Sequence, residues 1–233
     1  MKNPNNRRKM LKASLLTGLG VALATLEGSL PSKIMSNQAM AAGNKEEGKQ
    51  IGFLFDQNRC TGCQLCVRSC KRGNTWEEDV VWRRVIQDPT TKNASLPRDK
   101  ALLSLSCNHC ERPACATVCP VKAYTKRNRD GIVIQQQEKC VGCKYCLYAC
   151  PYQALSYGKS TGTVSKCHFC FLRQDEGELP LCVDKCPTGA LSIGEMSFLK
   201  RRAGTIQQIG NLPNPAMVGE PSIIIVPKRN HPT

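Results

Sequence analysis

The sequence predicts a loop-rich α+β fold held together by its cysteines, and three observations predict it. Sixteen cysteines fall into four groups of four with none left over. Short runs of β-forming residues lead into or out of those groups, bounded by turn residues. Only 5% of the 233 residues are aromatic, thin for a large apolar core. The groups are Cys60, Cys63, Cys66 and Cys70; Cys107, Cys110, Cys115 and Cys119; Cys140, Cys143, Cys146 and Cys150; and Cys167, Cys170, Cys182 and Cys186. Pro120, Pro151 and Pro187 follow the last cysteine of the second, third and fourth groups.

Groups one and three share the spacing C-x2-C-x2-C-x3-C, and groups two and four are stretched versions of it. With a proline after it, this is the bacterial ferredoxin run, whose fourth cysteine ligates the other cluster of a pair. A tight C-x2-C-x2-C loop places three soft thiolates at corners of one cubane. Four groups therefore predict four 4Fe-4S clusters. Alternation of tight and stretched groups predicts tandem bacterial two-cluster ferredoxin-like units. Structural zinc is the competing chemistry, but zinc ribbons use two separated C-x2-C pairs. Here the third and fourth cysteines keep x3 spacing in every group. A disulfide framework fails because such closely spaced runs cannot all pair internally. Because binding and folding are coupled at such sites, the metal-free protein is expected to be poorly ordered.

The elements follow in order. Residues 1–41 read as an export leader: Arg7-Arg8-Lys9 opens it, an apolar stretch spans Leu15 to Leu26, and Ala39-Met40-Ala41 supplies a cleavage-type site. This resembles a twin-arginine (Tat) signal, with Asn6 and Met10 departing from the usual residues. The apolar run is short of the roughly 20 residues a spanning helix needs. A polar linker, 42–50, precedes a four-cluster domain over 51–195. Its motifs lie at about 51–80, 106–130, 131–160 and 161–195. Strands are expected at 51–55, 80–87, 131–134, 154–157 and 191–193, with a surface insertion after 80–87. Helices are expected at Val67–Arg72 and Leu147–Ala149. The segment 196–233 starts with a short helix at 196–203 and continues as an extended, proline-punctuated tail around Ile223-Ile224-Ile225-Val226.

The net charge of +15 falls to +10 once the leader's six basic residues and one acidic residue are removed, leaving 27 against 17. Each oxidised cluster with its thiolates carries roughly −2, so the loaded protein sits near +2. The basic excess is thus counter-charge, and no basic stripe with interleaved aromatics points to nucleic acid. There is also no Ser/His/Asp set, phosphate-binding glycine loop or dinucleotide fingerprint. His109 and His168 lie within cysteine groups that are already full, so a sulfur hydrogen bond or solvent is the expected role. Trp76 and Trp82 read as core or interface. Arg59, Lys144 and Lys166 either raise cluster potentials or form solvated surface.

Arg59-Cys60-Thr61-Gly62-Cys63, Ser106-Cys107-Asn108-His109-Cys110-Glu111-Arg112-Pro113-Ala114-Cys115 and Cys140-Val141-Gly142-Cys143-Lys144-Tyr145-Cys146 carry a family resemblance. From Gly52 to Arg229 the protein resembles the four-cluster iron–sulfur subunits of molybdopterin oxidoreductases, in particular the B-chain type of anaerobic dimethyl sulfoxide reductases. The resemblance implies exchange of the fourth ligand between groups. Cys60, Cys63 and Cys66 would share a cluster with Cys186, and Cys167, Cys170 and Cys182 one with Cys70. Cys107, Cys110 and Cys115 would share one with Cys150, and Cys140, Cys143 and Cys146 one with Cys119. Cys143 is present where some relatives replace a group-three cysteine, so all four would be 4Fe-4S. The implied function is non-catalytic electron transfer in anaerobic respiration. The partners would be a molybdopterin catalytic subunit and a quinol-oxidising membrane subunit, at the periplasmic side of the cytoplasmic membrane. Equivalent subunits of tetrathionate, thiosulfate or polysulfide reductases or of nitrite reduction, and a free-standing polyferredoxin, are the alternatives.

Overall fold

In the computed structural model, residues 48–74, 76–89, 101–203 and 219–229 are described. All belong to one compact unit, 45–233; the unit formed by residues 1–44 lies outside them. The expected leader, most of the linker and the insertion from residue 90 to 100 therefore lie outside the described residues.

Strand β1, Ile51–Asp56, is the centre of the main sheet. It pairs antiparallel with β8, Leu191–Glu195, placing Phe53 opposite Ile193. It pairs parallel with β9, Ile223–Val226, placing Phe53 opposite Ile223. The tail segment expected outside the cluster domain is thus a strand of that domain's own sheet. Its three consecutive isoleucines explain this: Ile223 and Ile225 enter the core around Phe53, Phe55 and Leu191, while Ile224 packs on Met196 and Leu199. A strand buried on both faces reads as an unbroken apolar run. Buried Gln57 fixes the junction by donating to Asp88 and the Leu102 carbonyl, and by accepting from the Lys228 N–H at 3.0 Å. Gly52 leaves room for β9, because a Cβ there would meet the Ser222 carbonyl.

Three hairpins complete the strands. The first joins β2, Arg83–Gln87, and β3, Leu102–Ser106. The second joins β4, Tyr124–Lys126, and β5, Val133–Gln135. The third joins β6, Leu155–Gly158, and β7, Thr163–Lys166. The expected strand at 131–134 starts at Val133 instead, because Gly131 has φ +71° and closes the turn that precedes it.

The helices follow a rule set by the cysteines and prolines. An x3 spacing separates residues by one helical turn, so the third and fourth cysteines of a group face the same side. Helix α1, Leu65–Asn74, carries Cys66 and Cys70 as its buried residues. It begins before the expected start at Val67, since Cys66 itself is helical. Group one has no proline after its fourth cysteine, and α1 runs for ten residues. Asn74 then closes it, donating to the Cys70 carbonyl at 2.8 Å. In the other groups α2 (Ala114–Thr117), α3 (Tyr145–Ala149) and α5 (Leu181–Asp184) span four or five residues before Cys-Pro. Proline removes the N–H and restricts the residue before it, so the helix stops. Helix α4, Phe171–Asp175, fills the long gap of group four, and α6, Met196–Ala203, follows β8 as expected. Helices α1 and α5, from the outer groups, pack together, as do α2 and α3 from the inner groups. The main core is small: Phe53 stacks on Phe169 with centroids 4.2 Å apart, and Cys66 and Cys182 are part of it.

Candidate metal centres

Each group opens with a C-x2-C loop, and in all four the residue before the second cysteine has a left-handed backbone. Gly62, His109, Gly142 and Phe169 have φ of +73°, +45°, +69° and +62°. Glycine takes this conformation freely, whereas His109 and Phe169 hold it at a cost of about 1–2 kcal/mol each. Such a residue turns successive N–H groups into one concavity, a nest suited to anions and common at iron–sulfur sites. The repetition of one left-handed turn four times shows four similarly wrapped loops.

The thiols these loops present converge across groups. Cys60, Cys63, Cys66 and Cys186 line one pocket of about 340 Å³, walled by Phe55, Val85 and Leu191. Cys107, Cys110, Cys115 and Cys150 line a second of about 400 Å³ with Val133 and Leu155. Cys119, Cys140, Cys143 and Cys146 line a third of about 300 Å³ with Val164. The remaining four, Cys70, Cys167, Cys170 and Cys182, are all buried, and Cys167, Cys182 and Cys170 act electrostatically on Cys70. Twelve of the sixteen expected site residues therefore line three pockets, four to a pocket. In each pocket three come from one group and the fourth from another.

With the sets of Cys60, Cys70, Cys107 and Cys119 taken as first to fourth, their cysteines adjoin in turn. Cys66 of the first lies beside Cys182 of the second. Cys167 of the second packs with Cys107 of the third, and Cys115 of the third packs with Cys146 of the fourth. Cys63 and Cys143, in the two end sets, are exposed.

The pocket walls are apolar and the donors are aimed at sulfur. Burial pushes the Cys110, Cys115 and Cys167 thiols up to about 12, and Cys70 further still. Burial acts the same way on Cys186, but the N–H groups of Leu191, Ala190 and Thr188 and the Thr188 hydroxyl outweigh it and hold that thiol below its ordinary value. The N–H of Ala123 donates to Cys119 Sγ at 3.3 Å, that of Val164 to Cys140 Sγ at 3.5 Å and that of Phe169 to Cys167 Sγ at 3.4 Å. Four soft donors around a pocket in an anion-favouring nest fit an iron–sulfur cluster. Among the described residues, no three His, Cys, Asp or Glu side chains converge on a point where a single ion would sit.

Other expected residues fall differently. His109 does not face solvent: it is buried, lines the pocket of Cys107 and Cys110, and its Nδ1 accepts the Val133 N–H at 3.1 Å. His168 packs T-shaped against the rings of Trp82 and Phe171. Trp82 packs beside Cys107 and Cys167, donates to Ser165 and contacts Trp76. Arg59 is exposed, and Lys144 lies over the Tyr157 ring. Lys166 is buried and donates to the carbonyls of Val133 and Cys167. Arg83 was not singled out by sequence, yet it is buried beside the first two sets. A signal existed: in β2, Arg83 shares a face with Val85, which packs on the main core.

Comparison with known proteins agrees with this chemistry. The 4Fe-4S dicluster domain family matches residues 98–196. The B chain of anaerobic dimethyl sulfoxide reductase from Escherichia coli K12 is 39% identical over 187 residues, covering 78% of this protein and 90% of that one. The B subunit of tetrathionate reductase from Salmonella typhimurium is 40% identical over 157 residues, covering 67% and 62%. The B chain of polysulfide reductase from Wolinella succinogenes is 37% identical over 188 residues, covering 78% and 96%. The protein belongs to the family of iron–sulfur electron-transfer subunits of molybdopterin oxidoreductases, together with the B chains of anaerobic dimethyl sulfoxide reductases.

Proposed function

We propose that this protein relays electrons through four 4Fe-4S clusters between a quinol-linked membrane subunit and a molybdopterin catalytic subunit of the dimethyl sulfoxide reductase type. The single observation that carries the reading is the crossed convergence of the cysteines: three pockets, each lined by three thiols of one group and one of another. The ligand sets are Cys60, Cys63, Cys66 and Cys186; Cys70, Cys167, Cys170 and Cys182; Cys107, Cys110, Cys115 and Cys150; and Cys119, Cys140, Cys143 and Cys146.

A bound 4Fe-4S cluster accepts and gives up one electron at a time. The rest is the work of this protein's residues. The thiols fix the positions of the sites, so neighbouring sets share a wall. Apolar side chains such as Phe55, Val133 and Val164 keep water from the sulfurs. Backbone N–H groups at Cys119, Cys140 and Cys167 stabilise added negative charge without moving. The exposed ends at Cys63 and Cys143 are where partners would receive or supply electrons. Among the described residues no helix is long and apolar enough to cross a membrane. The twin-arginine leader at 1–41 supports export of the folded, loaded protein to the periplasmic face, where unfolded thiols would meet disulfide chemistry.

A second reading changes only the terminal substrate. The tetrathionate and polysulfide reductase relatives, at 40% and 37% identity, support a reductase of another sulfur compound as the complex. Anaerobic purification of the native complex tests both readings. About 16 iron and 16 sulfide per protein and a molybdenum-containing partner are expected. A cluster-loaded monomer without such a partner contradicts the proposed role, and the partner's reductase activity selects the substrate.

A further inference from the structure

Arg83 heads the largest fully buried side chains, at 2% exposure. Its Nη1 donates to Ser104 Oγ and its Nη2 to Ser106 Oγ, each at 2.8 Å. The guanidinium stands 4.7 Å from the centre of the Phe53 ring, and its Nε has no partner. Two neutral hydroxyls and one ring face are all it holds, and among the described residues no carboxylate pairs with it. Guanidinium cannot shed its proton to escape burial, and an unpaired charge in a dry interior is strongly unfavourable. Such a residue implies an anion.

Sulfur is what surrounds it. Ser104, its hydrogen-bond acceptor, lines the pocket of Cys60, Cys63, Cys66 and Cys186. Ser106 immediately precedes Cys107, and Phe53 stacks on Phe169, between Cys167 and Cys170. Negative charge on the sulfurs of Cys182, Cys167, Cys70 and Cys66 would favour the charged guanidinium against its burial. Those four positions belong to the first and second sets alone.

We infer that Arg83 is the internal counter-cation of the first two cysteine sets, a positioning residue whose fixed charge raises the reduction potentials of the clusters held there. The inference rests on the electron-transfer reading above. A reduced cluster carries one more negative charge than an oxidised one, so a nearby cation stabilises the reduced form. Burial makes the effect larger than a surface lysine could supply, because neither water nor salt screens it. The fork to two serines fixes the charge in place, so no side-chain movement accompanies the electron.

The test is redox titration, followed by electron paramagnetic resonance, of the full-length protein loaded with clusters, as wild type, Arg83→Gln and Arg83→Lys. Arg83→Gln is expected to lower two of the four midpoint potentials, each by at least a factor of ten in the reduction equilibrium, about 59 mV for one electron. The other two hold, and Arg83→Lys stays near wild type. If Arg83→Gln loses two clusters on assembly while Arg83→Lys keeps all four, the need for charge is likewise supported. Four unchanged potentials in Arg83→Gln, or an equal shift of all four, overturn the inference. So does an Arg83→Lys protein that fails as Arg83→Gln does, because shape rather than charge would then be at work. A wild-type protein that assembles without four 4Fe-4S clusters sinks the electron-transfer reading itself, a different result from any of these.

Discussion

At the scale of single residues, the four loops depend on how much each left-handed position tolerates. Gly142 has φ +69°, and a Cβ on it would run into the Gly162 carbonyl, which is backbone and cannot turn aside. Gly142→Ala is therefore expected to disrupt the loop of Cys140 and Cys143 and leave about 12 iron per protein, measured by iron assay after anaerobic purification. Gly177 supplies the comparison: φ is +80° but nothing lies within 4 Å of its Cβ position. Gly177→Ala is expected to cost about 1–2 kcal/mol and keep the full iron content. Equal iron content in the two variants would show that the turn at Gly142 does not shape its site. The glycines of the two C-x-G-C loops were plain in the sequence. His109 and Phe169 in the same conformation were not, because nothing local marks a bulky residue for a left-handed turn; the turn is imposed by the site it encloses.

At the scale of elements, the tail strand is the part that local pattern could not place. An unbroken Ile223-Ile224-Ile225-Val226 run marks a buried strand, but parallel pairing with β1 joins residues some 170 positions apart. No turn residue encodes such a pairing. Hairpin partners β3, β4 and β7 were missed for a related reason: Leu102–Ser106, Tyr124–Lys126 and Thr163–Lys166 are short and interrupted by polar residues. The ends of α2, α3 and α5, by contrast, follow from the Cys-Pro pairs. Ile224 is fully buried against Met196 and Leu199, so Ile224→Ala is expected to destabilise the loaded protein by about 2–5 kcal/mol. Thermal unfolding under anaerobic conditions measures it, and a change within about 0.5 kcal/mol would place β9 outside the cooperative fold. A proline where group one lacks one, Lys71→Pro, removes an interior helix hydrogen bond and costs about 3 kcal/mol. Its expected signature is a lower melting temperature, with α1 shortened at Cys70.

At the scale of the whole molecule, the sites and the core are one construction. Cys66 and Cys182 pack in the main core, Cys115 and Cys146 in a second, and Cys107 and Cys167 in a third. Each crossed set ties segments far apart in sequence, Cys60 to Cys186 being the widest. Removing iron removes these ties together, so chelation is expected to unfold the protein, seen as loss of native circular dichroism and rapid proteolysis. A chelated protein that keeps its protease resistance would mean that apolar packing alone sustains the fold. Cysteine count and spacing revealed the chemistry and the number of groups in the sequence. The internal cation did not show, because Arg83 reads as one of two adjacent arginines until its partner strand buries it.

The most direct test of the crossed sets compares cluster content in two double variants, measured by iron assay and electron paramagnetic resonance after reduction. Cys60 and Cys186 share one pocket, whereas Cys60 and Cys119 line different ones. Cys60→Ser with Cys186→Ser is expected to lose one cluster, no more than either single change, and Cys60→Ser with Cys119→Ser is expected to lose two. Two clusters lost in the first pair, or one in the second, would contradict the crossed arrangement on which the electron path rests.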